Sequence, residues 1–260
     1  MKLMRIIAVV GFMVIFFACG NARNGLNVIN SRSFPNQNVV LDTSLSHFLR
    51  SGTASVQLVQ NRTAAKLDQM IALAGQLQKN QSDSLWNTIS AGWYDLGKDG
   101  LVALLSDSSQ TSLAGKWAEL NISLLKLSGE VRFGDAIEDL LYKYPSVGLD
   151  EYQLKSIIYT HVDDQVFINV IAPSGFTYQH TTGGTVRFLQ KTDYPKGNVM
   201  MLSCEVGDVR YMDVFIRIPS WAVNPTVTHG NVKYVAHPGE YCEIYRKWNN
   251  GDEIKVVLKN

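Results

Sequence analysis

The sequence predicts an α+β protein in which a helical N-terminal segment precedes an antiparallel β-sandwich. From residue 63 to about residue 144, apolar residues recur every three or four positions, as in helices with one buried face. After about residue 153 the apolar period falls to two, and β-branched residues become frequent. Turn sequences such as Thr-Gly-Gly at 182–184 separate the predicted strands at short intervals, which is typical of antiparallel sandwiches.

Composition excludes several classes of protein. The 260 residues include 24 Lys and Arg against 23 Asp and Glu, and 46% of the residues are hydrophobic. Because the charges balance and no basic cluster stands out, the sequence lacks the electrostatic footprint of a nucleic-acid-binding protein. The apolar fraction is too high for a disordered chain. The length allows one large or two modest domains.

The first 18 residues read as a signal peptide. Two basic residues precede the uncharged run 6–18, which is too short to span a bilayer stably. This run ends in Phe-Phe-Ala-Cys-Gly, which resembles a bacterial lipobox, so we expect Cys19 to become the lipidated first residue. The expected partner is then a membrane, reached through an N-terminal lipid anchor. The expected location is the bacterial cell envelope, facing the periplasm or at the surface.

The remaining chain divides into three predicted parts. Residues 19–40 are rich in Asn, Ser, Arg and Gly, and we expect a lipidated tether with little fold of its own. Residues 41–150 form the helical segment, and residues 151–260 form the β-sandwich domain.

Five helices are predicted in the helical segment. Ser82 is the N-cap candidate of the second helix, and Gly129 is the expected stop of the fourth and strongest helix. The apolar stripes place the helices at about 67–77, 82–93, 101–105, 111–127 and 133–142.

Nine strands are predicted from the period of two and the turn residues between them. They lie near residues 155–160, 166–172, 176–180, 184–191, 198–205, 211–218, 226–236, 240–247 and 253–258.

Two cysteines, Cys204 and Cys242, lie on predicted strands where they alternate with polar residues, so both thiols are expected to point into a core. A disulfide is compatible with an oxidising envelope, and a pair of free buried thiols is equally natural. The sequence contains no CxxC, HExxH or Cys/His cluster, so local spacing indicates no metal site.

Aromatic residues near the C-terminus are candidates for carbohydrate binding. Tyr241 and Tyr245 share the strand face opposite Cys242, and Trp248 follows closely in sequence. An exposed aromatic row of this kind can stack on sugar rings. The same residues can instead stabilise the sheet as cross-strand pairs, and both interpretations stay open.

Several motifs of the β half resemble glycoside hydrolase family 127, whose best-known members are bacterial β-L-arabinofuranosidases. Residues 163–174 resemble the family's "DD-x-L-Y-V-N-L-Y-I-P-S" strand, and Thr-Asp-Tyr-Pro at 192–195 matches its "T-D-Y-P" turn. Residues 215–222 match "L-R-I-P-S-W-A". The stretches 238–241 and 248–252 resemble "P-G-E-Y" and "W-x-x-G-D".

The resemblance extends backwards into the helices. Residues 118–133 resemble the family's "L-x-L-T-G-D-x-R-Y" helix turn, and residues 135–142 continue as its "D-x-x-E-R-x-L-Y", so the likeness covers roughly 110–258. It implies that the helical segment is the remnant of an α/α barrel. Such a barrel needs on the order of 190 residues, and only 83 lie at 63–145.

The resemblance also implies a zinc site that this chain lacks. In the family, cysteine thiolates and a glutamate hold zinc, one thiolate attacks the sugar and a second glutamate acts as acid/base. The family's "E-T-C" motif falls on Gln110, Thr111 and Ser112, and its "C-C-P-P-N" motif has no counterpart between residues 142 and 157. Neither an amide nor a hydroxyl replaces an anionic zinc ligand. We therefore expect no zinc, no other cofactor and no catalytic residue.

Three functions remain under consideration. The first is a non-catalytic, carbohydrate-associated envelope lipoprotein that holds arabinose-containing glycans. The second is an active hydrolase of β-L-arabinofuranosides with rearranged catalytic groups. The third is a structural or partner-binding envelope protein. A concave aromatic groove would favour the first, and an exposed apolar face on helices 63–105 would favour the third.

Overall fold

The computed structural model describes residue 26 and residues 28–50, 62–98, 111–145 and 148–259. The predicted signal peptide, the expected lipidation site Cys19 and the predicted helix 101–105 lie outside these residues. None of the helices in the described ranges combines the length and the apolarity that a membrane crossing requires.

Five α-helices are described, and the first two form an antiparallel pair of amphipathic helices. Helix α1 buries Leu67, Met70, Ala74 and Leu77 at helical spacing. The second helix begins at the predicted cap, where the Ser82 hydroxyl accepts the Leu85 N–H at 3.4 Å. The helices are α1 (Arg62–Asn80), α2 (Asp83–Lys98), α3 (Thr111–Ser128), α4 (Val131–Tyr142) and α5 (Glu151–Ile157).

Helix α3 ends where the sequence predicts. Gly129 adopts a φ of +65°, and its N–H donates to the Leu125 carbonyl at 2.8 Å. A left-handed residue at this position is readily supplied by glycine, and it stops α3 and starts α4 two residues later.

The second half of the chain is a sandwich of two sheets, which confirms the predicted fold class. One sheet has the strand order β1-β3-β4-β8-β11, and the other has the order β10-β9-β12-β7-β6-β5-β2. The strands are β1 (Arg32–Ser33), β2 (Val39–Leu41), β3 (Tyr159–Val162), β4 (Gln165–Ile168), β5 (Ser174–Gln179), β6 (Thr185–Thr192), β7 (Val199–Val206), β8 (Arg210–Arg217), β9 (Thr226–His229), β10 (Val232–Tyr234), β11 (Tyr241–Trp248) and β12 (Glu253–Val257).

The neighbouring strands pair antiparallel except for β4 and β8, which run parallel with Phe167 opposite Phe215. Along β11 the buried residues Cys242 and Ile244 alternate with the exposed residues Glu243 and Tyr245. The period of two therefore separates a core face from an outer face, as the sequence predicts.

The expectation of a tether with little fold through residue 40 is wrong for its described part. Strand β1 pairs with β3, and β2 pairs with β5, so this segment adds an edge strand to each sheet. The reason is apolar burial: the Phe34 ring stacks on His161 at 4.4 Å and lies 4.7 Å from the Phe176 ring. The burial of Phe34 and of Val39 on β2 therefore fixes the segment.

The first predicted strand, near 155–160, begins as helix. Asp150 accepts the Gln153 N–H at 2.8 Å, and the Gln153 side chain accepts the Asp150 N–H, which completes a capping box. This cap starts α5, so the strand β3 begins only at Tyr159.

Helices and sheets share one continuous hydrophobic core. The hydroxyl of Tyr142, at the end of α4, donates to the Ile171 carbonyl at 2.7 Å and ties the helices to the sandwich. The helices therefore pack on the sheets as a partial cap, which is what their small number allows. The predicted domain boundary at residue 150 stays a prediction.

Candidate functional site

A pocket of about 290 Å³ opens between helices α2, α3 and α4. Its apolar wall is made by the indoles of Trp93 on α2 and Trp117 on α3, which stack with ring centroids 5.5 Å apart. The Trp93 indole N–H donates to the Asn121 side-chain oxygen at 2.9 Å, which fixes the ring. We call this cavity the helical pocket, and its wall and rim residues are Trp93, Trp117, Arg132, Asp135, Asp139 and Tyr144.

Arg132 forms the cationic side of the helical pocket. Its guanidinium carbon lies 5.3 Å from the Trp93 ring centroid and 4.7 Å from that of Tyr94. It also donates to the Ser90 hydroxyl at 2.7 Å and pairs with Glu130 at 2.7 Å. Burial raises the pKa of Glu130, and the neighbouring Arg132 charge opposes that rise. Arg132 is thus a preorganised charge on aromatic faces.

Two carboxylates also line the pocket. Asp135 and Asp139 lie four residues apart on α4, so both point to the same side of the helix. Asp139 is half-exposed, and within the described ranges its one ion pair is with Lys143, at 2.8 Å on the surface. The Asp135 carboxylate is also engaged by the sandwich, because it accepts the Ser220 N–H at 3.3 Å. Asp139 is therefore the carboxylate most available to a ligand.

A buried ion-pair network lies beneath the pocket and holds α4 to the sandwich. Arg217 of β8 is fully buried and pairs with both Asp135 and Glu138. Its Nε donates to the Asn169 carbonyl at 2.5 Å. Burial raises the pKa of Glu138, and the Arg217 charge opposes that rise. A Cβ at Gly134 would lie 2.5 Å from Cδ of Arg217, so glycine leaves the guanidinium room to reach α4.

The arrangement suits a small amphipathic ligand. Sugar rings present C–H patches that pack on indoles and hydroxyls that donate to carboxylates. The pocket volume lies at the small end of the range for ligand sites, about 300–1,000 Å³, which fits about one sugar residue.

The aromatic row predicted on β11 does not form a groove. Trp248 is fully buried, its ring packs against Phe188, and its indole N–H donates to the Met212 carbonyl at 3.1 Å. The prediction that Trp248 offers a face to a sugar is therefore wrong, because Trp248 lies on the buried face of β11, together with Cys242 and Ile244.

The two tyrosines of that row lie on the outer face, and they differ in exposure and in their contacts. Tyr241 is half-buried, and its hydroxyl donates to the Asn169 side-chain oxygen at 2.5 Å. Tyr245 is 60% exposed and stacks on Tyr211 with the centroids 6.5 Å apart. This cross-strand contact agrees with the interpretation that the aromatic residues stabilise the sheet.

The residues that would have to hold zinc do not fit the metal. Within the described ranges, no three His, Cys, Asp or Glu side chains converge as a metal site would require. Cys204 and Cys242 are free and buried in the core, one on each sheet. Ser112 lies in the first turn of α3, and Gln110 lies outside the described residues. A hydroxyl and two core thiols do not make a zinc donor set.

The free thiols should be unreactive in the folded protein. Burial raises the pKa of each of the two thiols to about 12, so the thiolate is scarce at about pH 8. In a Cys19→Ala variant we expect Ellman's reagent to label neither cysteine in the native protein and both after unfolding in guanidinium. Rapid labelling of the native protein would contradict the buried placement.

Comparisons with known proteins identify the relatives of this fold. Residues 165–260 match the sequence model of a family described as β-L-arabinofuranosidase, GH127 middle domain. A GH127 β-L-arabinofuranosidase from Geobacillus stearothermophilus T6 superposes with a TM-score of 0.59 at 17% identity, over 74% of this chain and 41% of that one. A second GH127 β-arabinofuranosidase gives a TM-score of 0.50 at 19% identity, over 57% of this chain and 32% of that one.

The family-model match confirms the resemblance to family 127 over residues 165–260. The chain spans between about a third and two fifths of the length of these two structures. At identities below 20%, the structural likeness establishes the fold alone. No curated protein matches the sequence.

Proposed function

We propose that this relative of the GH127 glycoside hydrolases is a non-catalytic, carbohydrate-associated lipoprotein of the bacterial cell envelope. The helical pocket carries this proposal, because stacked indoles, a fixed guanidinium and an available carboxylate line a cavity of sugar size. The proposed ligand is an arabinose-containing glycan, which is the class of sugar named for the GH127 relatives.

The lack of catalysis is supported by the lost zinc ligands and by the position of the remaining thiols. A thiolate nucleophile needs a metal or a cationic partner to stay ionised, and burial instead raises the pKa of the Cys204 thiol to about 12. We therefore propose no cofactor, and no specific observation favours the active hydrolase.

The partner-binding alternative is not favoured by the helical surface. On the described helices at 62–98, the large apolar side chains are buried or half-buried, apart from Tyr94 at 53% exposure. A broad apolar face of the kind that recruits a partner helix is missing from this part of the chain.

Removing Asp139 tests the helical pocket without disturbing the core. We expect Asp139→Ala to weaken binding of a β-L-arabinofuranosyl disaccharide at least tenfold by calorimetry, because a hydrogen bond to a charged group is worth about 1.5–3 kcal/mol. Glu151→Ala is the matched control, since Glu151 forms the same kind of i,i+4 pair, with Lys155, outside the pocket. Equal affinity of the two variants would contradict the proposed site.

Anchoring is proposed from the sequence. We expect an alkyne fatty acid supplied to cells to label the wild type and not Cys19→Ala, because the thiol is the acylated atom. Equal labelling of both proteins would contradict the lipid anchor.

A further inference from the structure

A second cleft, of about 560 Å³, lies apart from the helical pocket. It is bounded by the C-terminal half of α3, by α5 and by the segment that joins β1 to β2. We call it the Lys126 cleft, and the lining residues that matter are Ser33, Phe34, Asn36, Lys126, Tyr152 and Ser156. It shares none of its lining with the helical pocket.

Among the described residues, no carboxylate serves as counter-ion to the cation of this cleft. Lys126 is half-buried, and burial lowers the pKa of its ammonium group. Among the described residues, no carboxylate lies within 4.0 Å of its Nζ, and the residues that line the cleft include no Asp or Glu. A partly desolvated charge is costly unless an opposite charge meets it. An anion that enters the cleft would therefore give Lys126 an opposite charge that the described part of the chain does not supply.

The other walls suit a sugar ring. Tyr152 is 72% exposed at the cleft, although large aromatic side chains are usually covered. The Ser33 hydroxyl donates to the Ser156 carbonyl at 2.6 Å, so its oxygen still accepts hydrogen bonds. The Asn36 side chain adds an amide that can donate and accept. The cleft therefore offers an aromatic face, a hydroxyl, an amide and an ammonium group. Together these groups match a sugar ring that bears both hydroxyls and a carboxylate.

We propose that the Lys126 cleft binds a uronic acid residue, with the sugar carboxylate on Lys126 and the sugar ring against Tyr152. The site would let the protein hold an acidic glycan at a point separate from the helical pocket. Because the two sites share no lining residue, an experiment can contradict the proposal for one site and leave the proposal for the other intact.

The test is a calorimetric titration of the full chain with D-galacturonic acid and with D-galactose, which differ at the carboxylate. We expect galacturonic acid to bind at least tenfold more tightly than galactose. Lys126→Met should abolish that preference, and Tyr152→Ala, a change at an exposed position, should weaken binding of galacturonic acid severalfold. Lys116→Met is the matched control, because Lys116 lies on the same helix and already pairs with Asp68 at 2.6 Å.

Three outcomes would overturn the proposal. One is equal affinity of the wild type for the two sugars, and another is a preference for galacturonic acid over galactose that is unchanged in Lys126→Met. The third is inorganic phosphate binding as tightly as galacturonic acid, since that would show a simple anion site with no part for the sugar ring. Loss of binding in Asp139→Ala but not in Lys126→Met would place the acidic sugar in the helical pocket instead.

Discussion

Replacing Arg217 with Met should destabilise the protein by about 3–5 kcal/mol, because the change leaves two carboxylates without their buried cation. Arg217 is fully buried between β8 and α4, where it meets Asp135, Glu138 and the Asn169 carbonyl. Denaturant unfolding measures the loss. Arg187→Met is the control: Arg187 and Glu205 form an exposed ion pair at 3.1 Å, so its loss should cost less than about 1 kcal/mol.

The pH dependence of that variant has a definite sign. Burial raises the folded-state pKa of Glu138 above its ordinary value of 4.5, and Arg217 opposes the rise. Without Arg217 the folded pKa rises further, so the folded state binds a proton that the unfolded state releases. Stability is then fully present below about pH 4.5 and is lost as the pH rises towards the folded pKa. The cost of Arg217→Met should therefore grow as the pH rises above about 4.5, and a cost that is independent of pH would contradict the paired-charge account.

The chain should not hydrolyse β-L-arabinofuranosides, and restoring two lost side chains should not change this. In Gln110→Glu, Ser112→Cys, the attacking sulfur is still missing, because the resembled "C-C-P-P-N" segment has no counterpart. Cys204 and Cys242 are held in the sandwich core and cannot take its place. Positioning of reactants is worth many orders of magnitude in rate, so a site without its nucleophile has no residual route to turnover.

Nitrophenol release from a synthetic β-L-arabinofuranoside checks this prediction. Wild type and double variant should both match the buffer blank, and elemental analysis should find no stoichiometric zinc in either protein. A clear wild-type rate that a single substitution abolishes would show an active site outside the positions considered. One zinc per wild-type chain would restore the hydrolase hypothesis.

The sequence predicted the fold class because both periods are strong and local. The apolar stripe of α1 and the alternation on β11 need no tertiary information. The β1 and β2 pairings were missed because the burial of Phe34 and Val39 depends on tertiary contacts, such as the one between the Phe34 ring and the Phe176 ring, 142 positions later. The start of α5 was missed although Asp150 and Gln153 have capping-box spacing, a signal that the sequence does contain.

The candidate site was predicted less well, for a physical reason. Trp93 and Trp117 lie within the predicted helices 82–93 and 111–127, but their stacking depends on how α2 packs against α3. Arg132 lies in a motif that resembles family 127. Its place in that motif was the one sequence signal that could have pointed to the cation beside the Trp93 ring. Trp248 was predicted wrongly because it was grouped with the two tyrosines by closeness in sequence. On a strand, position 248 lies on the same face as Cys242 and Ile244.

The most direct test of the central claim is an amide NMR titration with a β-L-arabinofuranosyl disaccharide. A sugar bound in the helical pocket should shift the signals of Trp93, Trp117, Asp139 and their neighbours, including the Trp93 indole N–H. The disaccharide should remain intact in the same tube. Shifts confined to the outer face of β11 around Tyr245, or an absence of saturable shifts, would contradict the account.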